Sequence, residues 1–112
     1  MGSPVLTIDV AHPPRKPDVV EEELLNAWSH VRNSSYRILK IIHGGSLTKG
    51  SVTREVVRNW AFRSRSKFRN VINGEDYSVY QQATQEMRKE VDSYSDPDLD
   101  SGNEGIIVVW VK

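Results

Sequence analysis

Tyr36-Arg37-Ile38-Leu39-Lys40-Ile41-Ile42-His43-Gly44-Gly45 is the stretch that decides the fold. Ile38, Leu39, Ile41 and Ile42 form a nearly continuous apolar run, and runs of this kind suit strands covered on both faces. The spacing therefore predicts a strand over 36–42 inside a sheet. His43-Gly44-Gly45-Ser46-Leu47-Thr48-Lys49-Gly50 is a glycine-rich loop leaving that strand. A helix begins near Ser51, with Val52, Val56, Val57 and Trp60 as its apolar stripe. Arg54 and Arg58 fall opposite the stripe on the helical wheel, and Arg65 joins them if the helix runs on.

The rest of the chain repeats this alternation. Upstream, Leu6, Ile8 and Val10 alternate with Thr7 and Asp9, which predicts a strand that Pro13, Pro14 and Pro17 break. Asp18 with Glu21 forms a capping-box-like helix start, and Val20, Leu24, Leu25, Trp28 and Val31 follow at helical spacing. Asn33-Ser34-Ser35 ends that helix. Downstream, Val71 and Ile72 make a short third strand, ended by Asn73-Gly74. Ser78 with Gln81 caps another helix carrying Tyr80, Ala83, Met87 and Val91. An acidic loop spans 96–103, and Gly105 to Val111 closes the chain as a central strand. The order β-α-β-loop-α-β-α-β argues for a small α/β sandwich with a βαβ crossover.

At 112 residues the chain fits one domain. Its 38% hydrophobic and 27% charged residues place it among globular chains rather than disordered ones. With no cysteine, a disulfide framework, thiol catalysis and a Cys-ligated zinc site are excluded. No apolar run approaches the roughly 20 residues of a membrane span. The N-terminus has no signal-like pattern, so the cytoplasm is the expected compartment, with no membrane partner.

Net charge is zero, but it is unevenly spread. From Arg32 to Arg69 there are ten basic residues and one acidic residue, Glu55. The segments on either side are acidic, which allows a positive face on a neutral protein. The other arrangement is that the two signs interleave in space.

Three constellations carry candidate chemistry. The loop from His43 to Gly50 leaves a strand and opens a helix, the place where α/β sheets favour ligands and exposed N–H groups favour phosphate. Gly44 and Gly45 permit close backbone approach, and Lys49 adds positive charge. Alternatively, the glycines only turn the chain and His43 only ends a strand. Asp9 and His12 end the first strand. If that strand lies parallel and next to the second, Asp9, His12 and His43 converge at one sheet edge as general acid, general base or metal ligands. Otherwise they are ordinary strand-end and loop residues. Finally, Arg63-Ser64-Arg65-Ser66-Lys67-Phe68-Arg69 joins Arg54 and Arg58 as a phosphate-binding set, with Phe62 and Phe68 placed to stack on bases and Trp60 in the core. Here the competing picture is a solvated face. There is no HExxH, GxSxG or GxGxxG pattern, so a cofactor-dependent metabolic enzyme has no fingerprint.

Ile8-Asp9-Val10-Ala11-His12 resembles the LDxHG signature of the Smr (small MutS-related) domain family. Ile41-Ile42-His43-Gly44-Gly45, then Gly50-Ser51-Val52-Thr53-Arg54-Glu55-Val56-Val57-Arg58, resembles that family's HGxG strand end and following Gly-x-Leu-Arg helix. Gly102-Asn103-Glu104-Gly105-Ile106-Ile107-Val108-Val109 resembles its last block. The resemblance covers residues 5–73 and 102–112. It implies a single Smr-like domain over 1–112: a small two-layer α/β sandwich with a β-α-β-α-β-β core like the C-terminal domain of translation initiation factor 3. Residues 74–101 are then an insertion carrying its own helix.

The family resemblance also implies binding of DNA or RNA and, in many members, endonuclease (nicking) activity. In that catalytic version, Asp9 orients His12 or helps hold a divalent metal such as Mg2+, and His43 moves a proton. Gly44, Gly45, Thr48, Lys49 and the helix after Gly50 face phosphate, while Arg54, Arg58, Arg63, Arg65 and Lys67 hold the backbone. The chain departs from the pattern in three places. Asp9 and His12 are three apart rather than two, Ser46 stands at the second glycine of HGxG, and the insertion adds an acidic loop. The first two bear on cleavage more than on binding. The alternative function is a non-catalytic RNA-binding or protein-interaction module on the same fold, with the insertion as its protein contact.

Overall fold

The computed structural model describes residues 3–45, 51–91 and 94–112. Its elements are β1 (Val5–Asp9), α1 (Pro17–Arg32), β2 (Ile38–Ile42), α2 (Val52–Arg63), β3 (Phe68–Asn73), α3 (Gln82–Glu90) and β4 (Ile106–Val111). Single 3-10 turns occupy Arg65–Lys67 and Gly74–Asp76. The four strands form one mixed sheet in the order β1-β2-β4-β3. β1 runs parallel to β2, which it reaches through α1, while β4 is antiparallel to both of its neighbours.

The sheet is covered on both faces, as the apolar run in β2 requires. Leu39 and Ile41 of β2, with Ile107, Val109 and Val111 of β4, point to α1 and α2. Ile38 points the other way, with Ile106, Val108 and Trp110, and is covered by Tyr77, Met87, Val91 and Tyr94 from the segment between β3 and β4. Period-two alternation along each strand sorts the two clusters. On the first face Phe68 is wedged between two indoles, its ring centroid 4.8 Å from Trp28 and 5.7 Å from Trp60.

Lys40 breaks the apolar run and explains how the second layer is attached. It is 6% exposed, yet its ammonium donates to Asp96 at 2.8 Å and Asp98 at 2.6 Å. Burial alone would lower its pKa, but the two carboxylates outweigh that and raise it. The Tyr77 hydroxyl also donates to Asp96, at 3.0 Å, and lies 2.8 Å from the Tyr94 hydroxyl. The acidic loop thus serves as a countercharge to one buried lysine.

Boundaries shift for local reasons. α1 starts at Pro17 with Lys16 as its N-cap, so Asp18 sits in the first turn instead of capping. Proline suits that first helical position because its missing N–H has no intrahelical partner there. α3 is capped by the Gln81 side chain, which accepts from the Thr84 N–H. Ser78 instead accepts from Tyr80 N–H in the preceding turn, and Tyr80, 89% exposed, stands outside the helix and its apolar stripe. β3 extends back to Phe68, beyond Val71 and Ile72, with a register shift between Phe68 and Asn70. Among the described residues, no helix is long and apolar enough to cross a membrane.

Candidate nucleic-acid interface

Because β1 and β2 are parallel and aligned, their carboxyl ends meet, with Asp9 level with Ile42. Asp9 folds the next turn over itself. Its carboxylate accepts from Ala11 N–H at 2.8 Å, from His12 N–H at 3.0 Å and from the His12 ring at 3.0 Å. Partial burial pulls its pKa up, but these hydrogen bonds prevail and hold it below the usual carboxylate value. The His12 side chain is 72% exposed.

His43 lies at the same end of the sheet but not in the same place. Asp9 shares the face of Ile42, and the next residue along β2 points oppositely. His43 therefore turns toward α2 and is fully buried. Its Nε2 accepts from Arg58 Nε at 3.2 Å, which leaves Nδ1 as the protonated nitrogen, donating to the Gly44 carbonyl at 2.7 Å. Burial, reinforced by the Arg58 and Arg54 charges, pushes its pKa down to about 4. This is a neutral imidazole with both nitrogens occupied. Asp9 and His12 come together, and His43 is held apart from them. No group of three His, Cys, Asp or Glu side chains suited to a metal ion occurs among the described residues.

Gly44 has φ of +70°, and its N–H donates to the Gly105 carbonyl at 3.0 Å. The left-handed backbone is what calls for glycine there, since a Cβ would only reach ordinary contact with Ala11 Cβ. The Gly44 N–H is used inside the fold. Gly45 is exposed and also has positive φ. Thr48, Lys49 and Gly50 lie outside the described residues. Ser51 caps α2 by accepting from Arg54 N–H at 3.0 Å.

The basic residues divide into two groups. Arg58 forms a bidentate pair with Glu75, at 2.9 and 2.7 Å, and donates to the Glu104 carbonyl at 3.1 Å. Arg54 reaches the same carboxylate at 4.0 Å. The Arg58 guanidinium holds the Glu75 carboxyl below its ordinary value. Arg54 and Arg58 are thus half-buried, not a solvent-facing stripe, because the turn after β3 folds against that side of α2. Gly74 seats the same turn against the segment leading into β4, since a Cβ there would collide with the Asn103 carbonyl and with Ile106. Arg63 makes only an exposed contact with Glu21 at 3.3 Å.

Arg65, Lys67 and Arg69 behave differently. All three are exposed, and among the described residues no carboxylate pairs with them. Arg65 donates to the Phe62 carbonyl at 2.7 Å, and its guanidinium lies 4.0 Å over the Phe62 ring. Arg65 and Arg69 border an open cleft of about 560 Å³ between α2 and the edge strand β3. Phe62, Asn59, Asn70 and Asn73 also line it. Phe62 is 64% exposed, whereas Trp60 and Phe68 are buried in the core. Phe68 is therefore unable to stack on a base. The sequence offered no signal for the three asparagines, because only the pairing of β3 beside α2 gathers them.

No protein-family model matches this chain, and no curated protein matches it.

Proposed function

We propose that this domain binds nucleic acid, DNA or RNA, along the cleft between α2 and β3, on a frame of the Smr kind in which residues 74–101 are an insertion. The observation that carries this reading is the pair Arg65 and Arg69, two cations without carboxylate partners that border the cleft with an exposed aromatic ring and a row of carboxamides. Such cations attract a phosphate backbone through counterion release. The zero net charge is an average over the chain, and it does not oppose a local positive site, because ten of the basic residues lie between Arg32 and Arg69 with one acidic residue among them.

A binding module is favoured over a nuclease by the state of His43. Its Nε2 is taken by Arg58, and its ring is buried away from Asp9 and His12. One observation keeps hydrolysis as a second reading. The Asp9 carboxylate orients the exposed His12 ring, the relation a general base needs with its positioning partner.

Fluorescence anisotropy with labelled oligonucleotides across a salt series tests both readings, alongside a nicking assay on supercoiled plasmid and structured RNA. The expected result is salt-sensitive binding that falls by about a hundredfold or more in Arg65→Glu/Arg69→Glu, where two attractions become repulsions. Retention of full affinity in that variant would refute the cleft as the interface. Cleavage abolished in Asp9→Ala/His12→Ala would instead establish the hydrolytic reading.

A further inference from the structure

The cleft holds more than a phosphate backbone requires. Cations alone bind phosphates without reading bases. Phe62 offers an exposed ring with one face against a guanidinium. It sits on the last turn of α2, its own carbonyl holds the Arg65 guanidinium, and that guanidinium lies over the ring. With 64% of its surface still exposed, the ring has room for a second planar group. Across the cleft, β3 is the sheet edge and contributes Asn70 and Asn73, while Asn59 lies one turn before Phe62 on α2. Asn70 pairs with Trp110 and so sits toward the other face of the sheet, which leaves Asn73 and Asn59 as the carboxamides on the α2 side. The side chains of Asn59 and Asn73 make no hydrogen bond among the described residues. A carboxamide presents a donor and an acceptor side by side, the pattern that matches the edge of a nucleobase.

From this juxtaposition we infer that the α2–β3 cleft receives an unpaired nucleobase, stacked on Phe62 and met at its edge by the asparagines, so that the domain prefers single-stranded over duplex nucleic acid. This rests on the nucleic-acid reading above and narrows it to a substrate class. A duplex hides its base faces within its own stack, so Phe62 has nothing there to stack on. Arg65, whose guanidinium lies over the ring, then holds a phosphate beside the seated base. Stacking of this type tolerates sequence, because every base has a π-face.

The experiment compares three labelled ligands of equal length by anisotropy at fixed salt: a mixed-sequence single strand, its duplex, and a single strand made wholly of abasic sites. The wild-type protein is expected to bind the single strand most tightly. Phe62→Ala is expected to weaken single-strand binding about tenfold while leaving duplex and abasic binding unchanged. Phe62→Trp is expected to restore the preference, which separates stacking from a general disturbance of the helix end. Two outcomes overturn the inference yet leave nucleic-acid binding standing. One is equal affinity for all three ligands. The other is a single-strand preference that survives Phe62→Ala. Failure of the wild type to bind any of them at low salt overturns both readings at once.

Discussion

The two ends of α2 carry the same residue type and use it in opposite ways. Toward its start, Arg54 and Arg58 are drawn inward to Glu75, and Arg58 also binds His43 and a main-chain carbonyl. Past its end, Arg65 and Arg69 stand without carboxylate partners at an open cleft that Arg58 also borders. A guanidinium in the first setting replaces lost water with several hydrogen bonds and becomes part of the scaffold. In the second it keeps its water and its counterions and is available to a phosphate. Lys40 belongs with the first group, although it lies on another face. Counting positive charge along a sequence therefore overstates the charge a partner meets.

Breaking the inner group is expected to have the largest effect. Arg58→Met leaves Glu75 partly buried without its partner and frees the His43 imidazole. Chemical unfolding should show a loss of about 3–5 kcal/mol. Arg65→Met, by contrast, should stay within about 0.5 kcal/mol. Similar losses for both would erase the distinction between the two ends.

His43 supplies the next effect, through pH. Its pKa in the folded protein is about 4, below the unfolded value of about 6.5. Between those values the unfolded chain binds a proton that the folded chain refuses, so stability falls as pH falls. The contribution is complete above about pH 6.5 and lost by about pH 4, on the order of 3 kcal/mol in all. Glu75 and Asp98 are held below their ordinary values and add to the acid side of the same loss. Unfolding curves taken in steps from pH 7.5 to pH 5 should show the decline, and His43→Gln should flatten it in that range. A profile as steep in that variant as in the wild type would remove His43 from the scaffold.

The smallest effect sharpens the boundary. Arg63 has a carboxylate partner, Glu21, at 3.3 Å, yet both side chains are well exposed. Arg63→Ala should change stability by less than about 0.5 kcal/mol. By thermal denaturation it should group with Arg65 and not with Arg58, which would show that desolvation, and not the presence of a partner, separates the two classes.

Much of the fold was legible in the order of the residues. The alternation in Val5–Val10, the apolar run to Ile42 and the helical spacing around Trp28 and Trp60 report local periodicity, and periodicity survives without knowledge of neighbours. The helix starts were less legible. Asp18 and Ser78 both offered cap chemistry, but Lys16 and Gln81 took the cap positions. Of the candidate site, the sequence brought out Asp9 with His12 and the basic run from Arg63 to Arg69. It misplaced Phe68 at the surface, because the bend through Arg65–Lys67 that returns this ring to the core is a tertiary event.

By itself, then, the sequence determined the succession of strands and helices, the need for cover on both sides of β2, and the concentration of cations between Arg32 and Arg69. Tertiary structure alone decided which cations face a partner. Glu75 reaches Arg58 across 17 positions, and Asp98 reaches Lys40 across 58. Charge is a property of a residue, but its availability depends on burial and on the opposite charge that folding brings within a few ångströms. Neither quantity has any period along the chain.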